Sequence, residues 1–134
     1  MTMTLTDPYA YVAGYPVGEI LSGFVECAFW SSTDRDDEPM DANYGADDLT
    51  PDAVAIIEAD VLTFARRAWY AAEAAGWEAG QFGHDYWLTR NGHGAGFWCR
   101  EWDTSNVGRR LSDLATSMGT MDLYVDPDGK VDVE

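Results

Sequence analysis

The sequence contains few cysteines and few histidines. Cys27 and Cys99 are the only cysteines among 134 residues, which is too few for a disulfide scaffold, and both are expected to be reduced and buried. With two histidines and no Cys-x-x-Cys pair, the chain lacks the ligands of a typical zinc site. The phosphate-binding, dinucleotide-binding and hydrolase motifs built on glycine, serine or His-Glu are also missing. We therefore predict neither a metal nor a cofactor.

Basic residues are scarce as well. Eight Lys and Arg stand against 24 Asp and Glu, which gives a formal net charge of -16. Because affinity for phosphates comes from cationic side chains, this balance excludes direct electrostatic binding of nucleic acid and disfavours anionic membrane surfaces. No stretch approaches the roughly 20 apolar residues of a membrane span, and the N-terminus lacks the features of a secretion signal. A soluble cytoplasmic protein with a basic protein partner is expected.

The residues that are present are sufficient for a core. The length predicts one domain over 1–134, and 46% of the residues are hydrophobic. A polar lead over 1–16 precedes an amphipathic helix over 17–31, and an acidic loop without periodicity follows over 31–49. Thr50 and Pro51 then form a typical helix start, and the apolar stripe that follows predicts a long helix ending near Gly76.

From Gly83 the apolar pattern alternates, which predicts a β-hairpin over 83–99 with a two-residue turn at Asn91-Gly92. In that register Arg90 lies opposite His93, and His84 opposite Cys99. A third helix, capped by Thr104 or Ser105 and stopped by Gly119, leads to a second hairpin around residues 126–129. The order α-α-β-β-α-β-β predicts an α+β fold in which helices pack on an antiparallel sheet of about four strands.

The acidic residues are concentrated in one region. Spread evenly over about 7,000 Å² of surface, the charge of -16 gives about 440 Å² per net charge, against about 110 Å² on duplex DNA. Residues 34–60, however, hold ten acids and one arginine. If they gather on one face, that face approaches the charge density of DNA. The predicted partner-binding acids are Asp34, Asp36, Asp37, Glu38, Asp41, Asp47, Asp48 and Asp52. A solvated loop that aids solubility is the alternative.

The first hairpin carries two further hypotheses. Its glycines leave room for a flat ligand such as a nucleotide, stacked between aromatic rings with its phosphate held at the hairpin tip; packing of tryptophan over the glycines is the structural alternative. The residues of this candidate site are His84, Tyr86, Trp87, Arg90, His93 and Trp98. The second hypothesis is a small hydrolase in which His84 activates the Cys99 thiol, although no third residue is placed to orient the histidine.

Residues 83–98 (GHDYWLTRNGHGAGFW), with 41–44 upstream and 123–125 near the end, resemble a group of small accessory proteins of bacteriophages and other mobile elements. Cys99 stands where that group carries Asp, which weakens any role that needs a carboxylate there. The resemblance implies a protein that acts inside the host cell, most simply by binding and inhibiting a host protein of defence or of nucleic-acid metabolism. Binding rather than catalysis is therefore the first hypothesis, and the oligomeric state stays open.

Overall fold

Four helices form most of the molecule. The computed structural model describes residues 7–134, so that residues 1–6 of the predicted polar lead lie outside the described residues. The elements are helices α1 (Val17–Ser31), α2 (Pro51–Ala75), α3 (Ala79–Arg90) and α4 (Val107–Ser117), followed by strands β1 (Leu123–Val125) and β2 (Val131–Val133). Single-turn 3-10 helices cover Met40–Ala42, Ala46–Asp48 and Phe97–Cys99.

The predicted α+β fold with a sheet of about four strands is wrong. Within residues 7–134 the sheet has two strands, β1 and β2, paired antiparallel with Leu123 opposite Val133. The order is four helices followed by one hairpin, because the segment predicted as the first hairpin is helical. The predicted sheet is thus replaced by a mainly helical fold with the C-terminal hairpin on its surface.

Helix α3 occupies the segment in which the β-hairpin was predicted. It is buried on almost every side; its buried residues are Ala79, Phe82, Gly83, Asp85, Tyr86, Trp87, Leu88 and Arg90. A helix enclosed by its neighbours has no polar face, so its sequence lacks the 3.6-residue period. Asn91-Gly92 ends the helix instead of forming a hairpin turn: Asn91 is the C-cap, and Gly92 follows with φ 71°, the left-handed conformation typical of helix ends.

Helices α1 and α2 match their predicted bounds. The Thr50 hydroxyl accepts a hydrogen bond from the Ala53 N–H at 3.0 Å, Pro51 is the first helical residue, and Gly76 closes the helix with φ 112°. One predicted detail of α4 is wrong, because neither Thr104 nor Ser105 caps it. The Asp103 carboxylate accepts the N–H groups of Val107 and Gly108 at 2.8 and 2.6 Å, and a charged acceptor suits the positive end of a helix better than a hydroxyl.

Helices α1 and α3 approach each other until their backbones touch. A Cβ atom added to Gly83 would lie 2.0 Å from the Ile20 carbonyl oxygen, and one added to Gly23 would lie 2.0 Å from the Gly80 carbonyl oxygen. Only glycine, which has no Cβ atom, allows the backbones of α1 and α3 to come this close. The close crossing brings the side chains of α1 and α3 around the contact to a common surface, on which Glu26 and His84 line the same cavities.

One buried cluster joins all four helices to the hairpin. At its centre the rings of Phe64 and Tyr86 stack with centroids 3.8 Å apart, and Phe82 and Phe97 pack around them. Of the two cysteines, Cys27 is buried as predicted, whereas Cys99 is exposed, which corrects the prediction that both are buried. Among the described residues, no helix combines the length and the apolar character needed to cross a membrane.

Candidate functional site

The acidic loop between α1 and α2 is an ordered structure. One oxygen of Asp34 accepts the backbone N–H groups of Asp36 at 2.8 Å and Glu38 at 3.1 Å, and the Asn43 amide donates to Glu38 at 3.0 Å. These bonds, led by that from Asp36, lower the pKa of Asp34, since they favour the ionised carboxylate. The tip of the loop therefore holds its charge in a fixed turn.

Two apolar residues attach the loop to the core. Met40 is fully buried and donates its N–H to the Ser32 carbonyl at 2.8 Å, and Leu49 is buried at the other end. With these residues turned inward, the acids between them point outward. The predicted partner-binding acids are exposed or half-buried throughout: Asp34, Asp36, Asp37, Glu38, Asp41, Asp47, Asp48 and Asp52.

The loop continues into the C-terminal hairpin. Leu49 bridges Val131, the Thr50 N–H donates to the Val131 carbonyl at 3.0 Å, and the Thr50 hydroxyl donates to Asp132 at 3.2 Å. The hairpin adds acids that the sequence reasoning did not assign to this face: Asp122, Asp126, Asp128, Asp132 and Glu134. The Asp126-Pro127-Asp128-Gly129 turn was the available signal. We call the eight loop and helix-start acids and these five the anionic face.

The electrostatic effect of the hairpin acids is visible at Tyr124. The pKa of its phenol is raised, with the charge of Asp132 as the largest cause, then partial loss of solvent, and then the charges of Glu134 and Asp126. A negative potential disfavours the phenolate. The hairpin acids therefore produce a negative electrostatic potential around Tyr124.

Cations are rare on the anionic face. Arg35 and Lys130 are the only basic residues within the segments 34–52 and 122–134. The other exposed arginines lie on α2 and α4, namely Arg66, Arg67, Arg109 and Arg110. The distance from Asp52 to Arg66 along α2 is about 21 Å at 1.5 Å per residue, beyond the roughly 8 Å screening length at physiological salt. At this distance the charge of Arg66 is screened from Asp52, so Arg66 does not neutralise that carboxylate.

One acid of the region 34–60 belongs to the interior instead. Asp60 accepts hydrogen bonds from the Arg90 guanidinium and the Tyr86 hydroxyl, each at 2.6 Å. Arg90 also donates to the carbonyl groups of Gly119 at 2.7 Å and Met118 at 3.2 Å. This network ties α2 and α3 to the end of α4, and the charge of the half-buried Asp60 is compensated by Arg90.

A second buried ion pair was missed by the sequence reasoning. Asp85 is fully buried and accepts hydrogen bonds from Trp77 Nε1 at 2.9 Å, Gln81 Nε2 at 2.8 Å and both Nε and Nη2 of Arg100. The hydrogen bonds that Arg100 donates to Asp85 raise the pKa of Arg100. The alternating pattern of the segment hid this role, because it predicted a strand where the structure has a helix.

The residues of the small-ligand hypothesis do not share one face. Tyr86, Trp87 and Arg90 are buried in α3, whereas Trp98 is 55% exposed. Arg90 is 2% exposed at its side chain and is engaged by Asp60 and two carbonyl groups, so its position does not suit a phosphate from solvent. Only Trp87 and His93 of this set line a common crevice, of about 400 Å³, between the ends of α1 and α3 and the segment before β1. Gly96 packs on Thr89, where a Cβ would lie 2.2 Å from the hydroxyl oxygen.

The structure does not pair His84 with Cys99. His84 lies on α3, its ring centroid 6.5 Å from that of Trp30. The Cys99 thiol instead contacts the backbone of Gly96, donating to its carbonyl at 3.3 Å. No hydrogen bond joins the two side chains within residues 7–134, and the same residues contain no group of three His, Cys, Asp or Glu suited to a metal.

The two cysteines are expected to differ in reactivity. Burial, followed by the negative charges of Asp85 and Glu26, raises the pKa of Cys27 to about 12, so its thiolate is not available at neutral pH. Iodoacetamide at pH about 7 should label Cys99 alone, no faster than a free thiol, and label Cys27 only after unfolding. Mass spectrometry gives the count, and Cys99→Ser is the control. Faster labelling of Cys99 that is lost in His84→Ala would revive the hydrolase hypothesis.

Comparison with known proteins returns no relative: no family model, no curated protein and no solved structure matches the sequence.

Proposed function

We propose that the chain acts by binding, and that the anionic face engages a basic, nucleic-acid-handling protein at the surface where that protein binds phosphates. The observation that carries the proposal is the direct contact between the two acidic segments. The loop and the hairpin, which are distant in sequence, are joined through Leu49, Thr50 and Val131. Acids from both segments then act on one partner surface.

Most of the net negative charge of the chain lies in the segments of the anionic face. Thirteen carboxylates and two cations leave eleven of the sixteen net negative charges in the segments that form this face. Neither of the ion pairs among the described residues involves a carboxylate of the face. A field of one sign over a large surface accelerates association with a cationic partner and weakens as salt rises.

The kind of partner that we propose is based on the resemblance of residues 83–98 to accessory proteins of bacteriophages. In this proposal the partner is a host enzyme of defence or nucleic-acid metabolism, and occupation of its phosphate-binding surface inhibits it. The ordered turn at Asp34 supports such a role, because charges held in place lose less conformational entropy on binding than charges on a mobile loop.

The test compares two variants that each remove four negative charges. One carries Asp36→Asn, Asp37→Asn, Asp47→Asn and Asp128→Asn on the anionic face. The control carries Glu73→Gln, Glu78→Gln, Glu101→Gln and Asp113→Asn, all exposed and outside the face. None of these eight side chains makes a hydrogen bond within the part of the chain that the structure describes, so both variants should keep the stability of the parent.

Immobilised parent protein is expected to capture basic proteins from a bacterial lysate at about 50 mM salt and to release them by about 500 mM. Soluble duplex DNA should compete for the same proteins. The face variant should reduce capture at least about tenfold, which corresponds to about 1.4 kcal/mol, and the control variant less than twofold. Equal losses in both variants, or capture that DNA does not compete, would contradict the proposal.

A further inference from the structure

Three adjoining cavities lie along the solvent side of α1, and Glu26 lines all of them. The first, of about 320 Å³, reaches toward Gln81 of α3, and the second, of about 270 Å³, reaches toward Tyr44 of the acidic loop. The third, of about 360 Å³, is lined by Glu26, Cys27, Trp30, Asp41 and His84. We call these three cavities the Glu26 groove. It borders the anionic face at Asp41, which belongs to both.

The groove is negative. Glu19, Glu26 and Asp41 line it, and no Lys or Arg does so among the described residues. Glu26 also acts on Cys27 in the wall of the groove: burial is the main cause that raises the pKa of this thiol to about 12, and the charges of Asp85 and then Glu26 add to it. A cation entering the third cavity would meet two carboxylates with no competing internal cation.

An exposed aromatic ring stands beside these carboxylates. Trp30 is 61% exposed, although tryptophan is highly buried on average and is enriched in interfaces. The His84 ring lies on one side of it at 6.5 Å and a tilt of 30°. Indole is the best of the aromatic side chains at attracting a cation over its face. The third cavity is thus lined by an exposed tryptophan and two acidic residues.

We propose that the Glu26 groove binds an arginine side chain of a basic polypeptide, with the guanidinium between Glu26 and Asp41 and its plane against Trp30. This inference rests on the proposed function, since it assigns an anchor residue to the basic partner. Arginine is favoured over lysine because its planar fork donates to two carboxylates at once and stacks on an aromatic ring, while the lysine ammonium is compact and strongly hydrated.

The neighbouring cavity indicates what adjoins that arginine. Beyond Glu26 and Asp41 the second cavity is bounded by apolar side chains of α1, Leu21, Val25 and Phe29, and by Tyr44 of the loop. An apolar residue next to the arginine would enter there. The groove therefore selects a short Arg-apolar segment, whereas the anionic face responds to charge alone.

The test uses acetylated Gly-Arg-Leu amide and its Lys counterpart as probes, followed by NMR of the tryptophan indole N–H signals, with the Trp30 signal assigned from Trp30→Leu. The Arg peptide is expected to shift the Trp30 signal with a Kd of order millimolar, at least about fivefold tighter than the Lys peptide. Glu26→Gln should weaken it at least about fivefold. Glu73→Gln, which removes an exposed charge of α2 outside the groove, should change it less than twofold.

Equal affinity for the two peptides, an unmoved Trp30 signal, or equal losses in Glu26→Gln and Glu73→Gln would overturn the inference. The two proposals can fail separately. The four-charge face variant, which leaves Glu26, Trp30 and Asp41 in place, should bind the Arg peptide within about twofold of the parent at physiological salt while losing capture of basic proteins. If the Arg peptide does not bind as expected but basic proteins are captured, the proposed function of the anionic face is kept and the arginine site in the Glu26 groove is rejected.

Discussion

Gly83→Ala is expected to destabilise the protein by about 3 kcal/mol or more, the upper end of the usual cost of forcing extra volume into a packed core. A Cβ at this position would lie 2.0 Å from the Ile20 carbonyl oxygen and 2.8 Å from the Phe24 nitrogen. Both atoms belong to the backbone of α1, so no side-chain rotation relieves the clash. The helices must move apart, and the core between them then loses its close packing.

Gly80→Ala is the matched control, because it makes the same change in the same helix. No atom lies within 4 Å of a Cβ placed at Gly80. Here alanine is expected to be neutral or to stabilise by up to about 1 kcal/mol through its better helix propensity. Urea unfolding followed by circular dichroism measures both variants. A Gly83→Ala protein as stable as Gly80→Ala would mean that α1 and α3 do not cross at this distance.

Helix α3 is the segment whose secondary structure was predicted wrongly from the sequence. Helices α1 and α2 have one apolar and one polar side, and α2 also has an unambiguous cap at Thr50, so periodicity located both. Helix α3 is enclosed by its neighbours and buries Asp85 and Arg90 among apolar residues, which removes the helical period. Asn91-Gly92 then favoured a hairpin, because the left-handed glycine that ends a helix looks the same in sequence as the one that makes a turn.

The candidate site was predicted in part, for an equally local reason. The acids of residues 34–52 form a dense run, so composition alone indicated a charged surface. The acids at 122–134 join them only through the contacts of Leu49 and Thr50 with Val131, and no single sequence reveals a pairing across about 80 residues. Asp60 was counted with the surface because its partner Arg90 was expected in a strand.

The two interior ion pairs explain how a strongly acidic chain stabilises its central helix. Arg90 and Arg100 are two of only eight cations, and each is bonded to a buried or half-buried aspartate. Removal of either arginine would leave a carboxylate without its cation, at a side chain that is fully buried for Asp85 and 17% exposed for Asp60. The scarcity of cations that shapes the surface therefore also makes these two arginines costly to lose.

Arg100→Met is expected to destabilise the protein by about 3 kcal/mol, near the low end of the 3–5 kcal/mol typical for breaking a buried pair. The low end applies because the Arg100 side chain remains 21% exposed and Asp85 keeps its donors Trp77 and Gln81. Arg109→Met, at an exposed arginine of α4, is the matched control and should cost less than about 0.5 kcal/mol.

Combining Arg100→Met with Asp85→Asn separates the ion pair from the packing around it. The asparagine keeps the shape of Asp85 and an acceptor oxygen for Trp77 but carries no charge, so the uncompensated carboxylate is gone. The double variant should therefore be more stable than the sum of the two single losses by about 1–3 kcal/mol, as for neighbours in one network. Urea unfolding of the four proteins gives this coupling. Additivity within about 0.5 kcal/mol would show that Arg100 does not stabilise α3 through its charge pairing with Asp85.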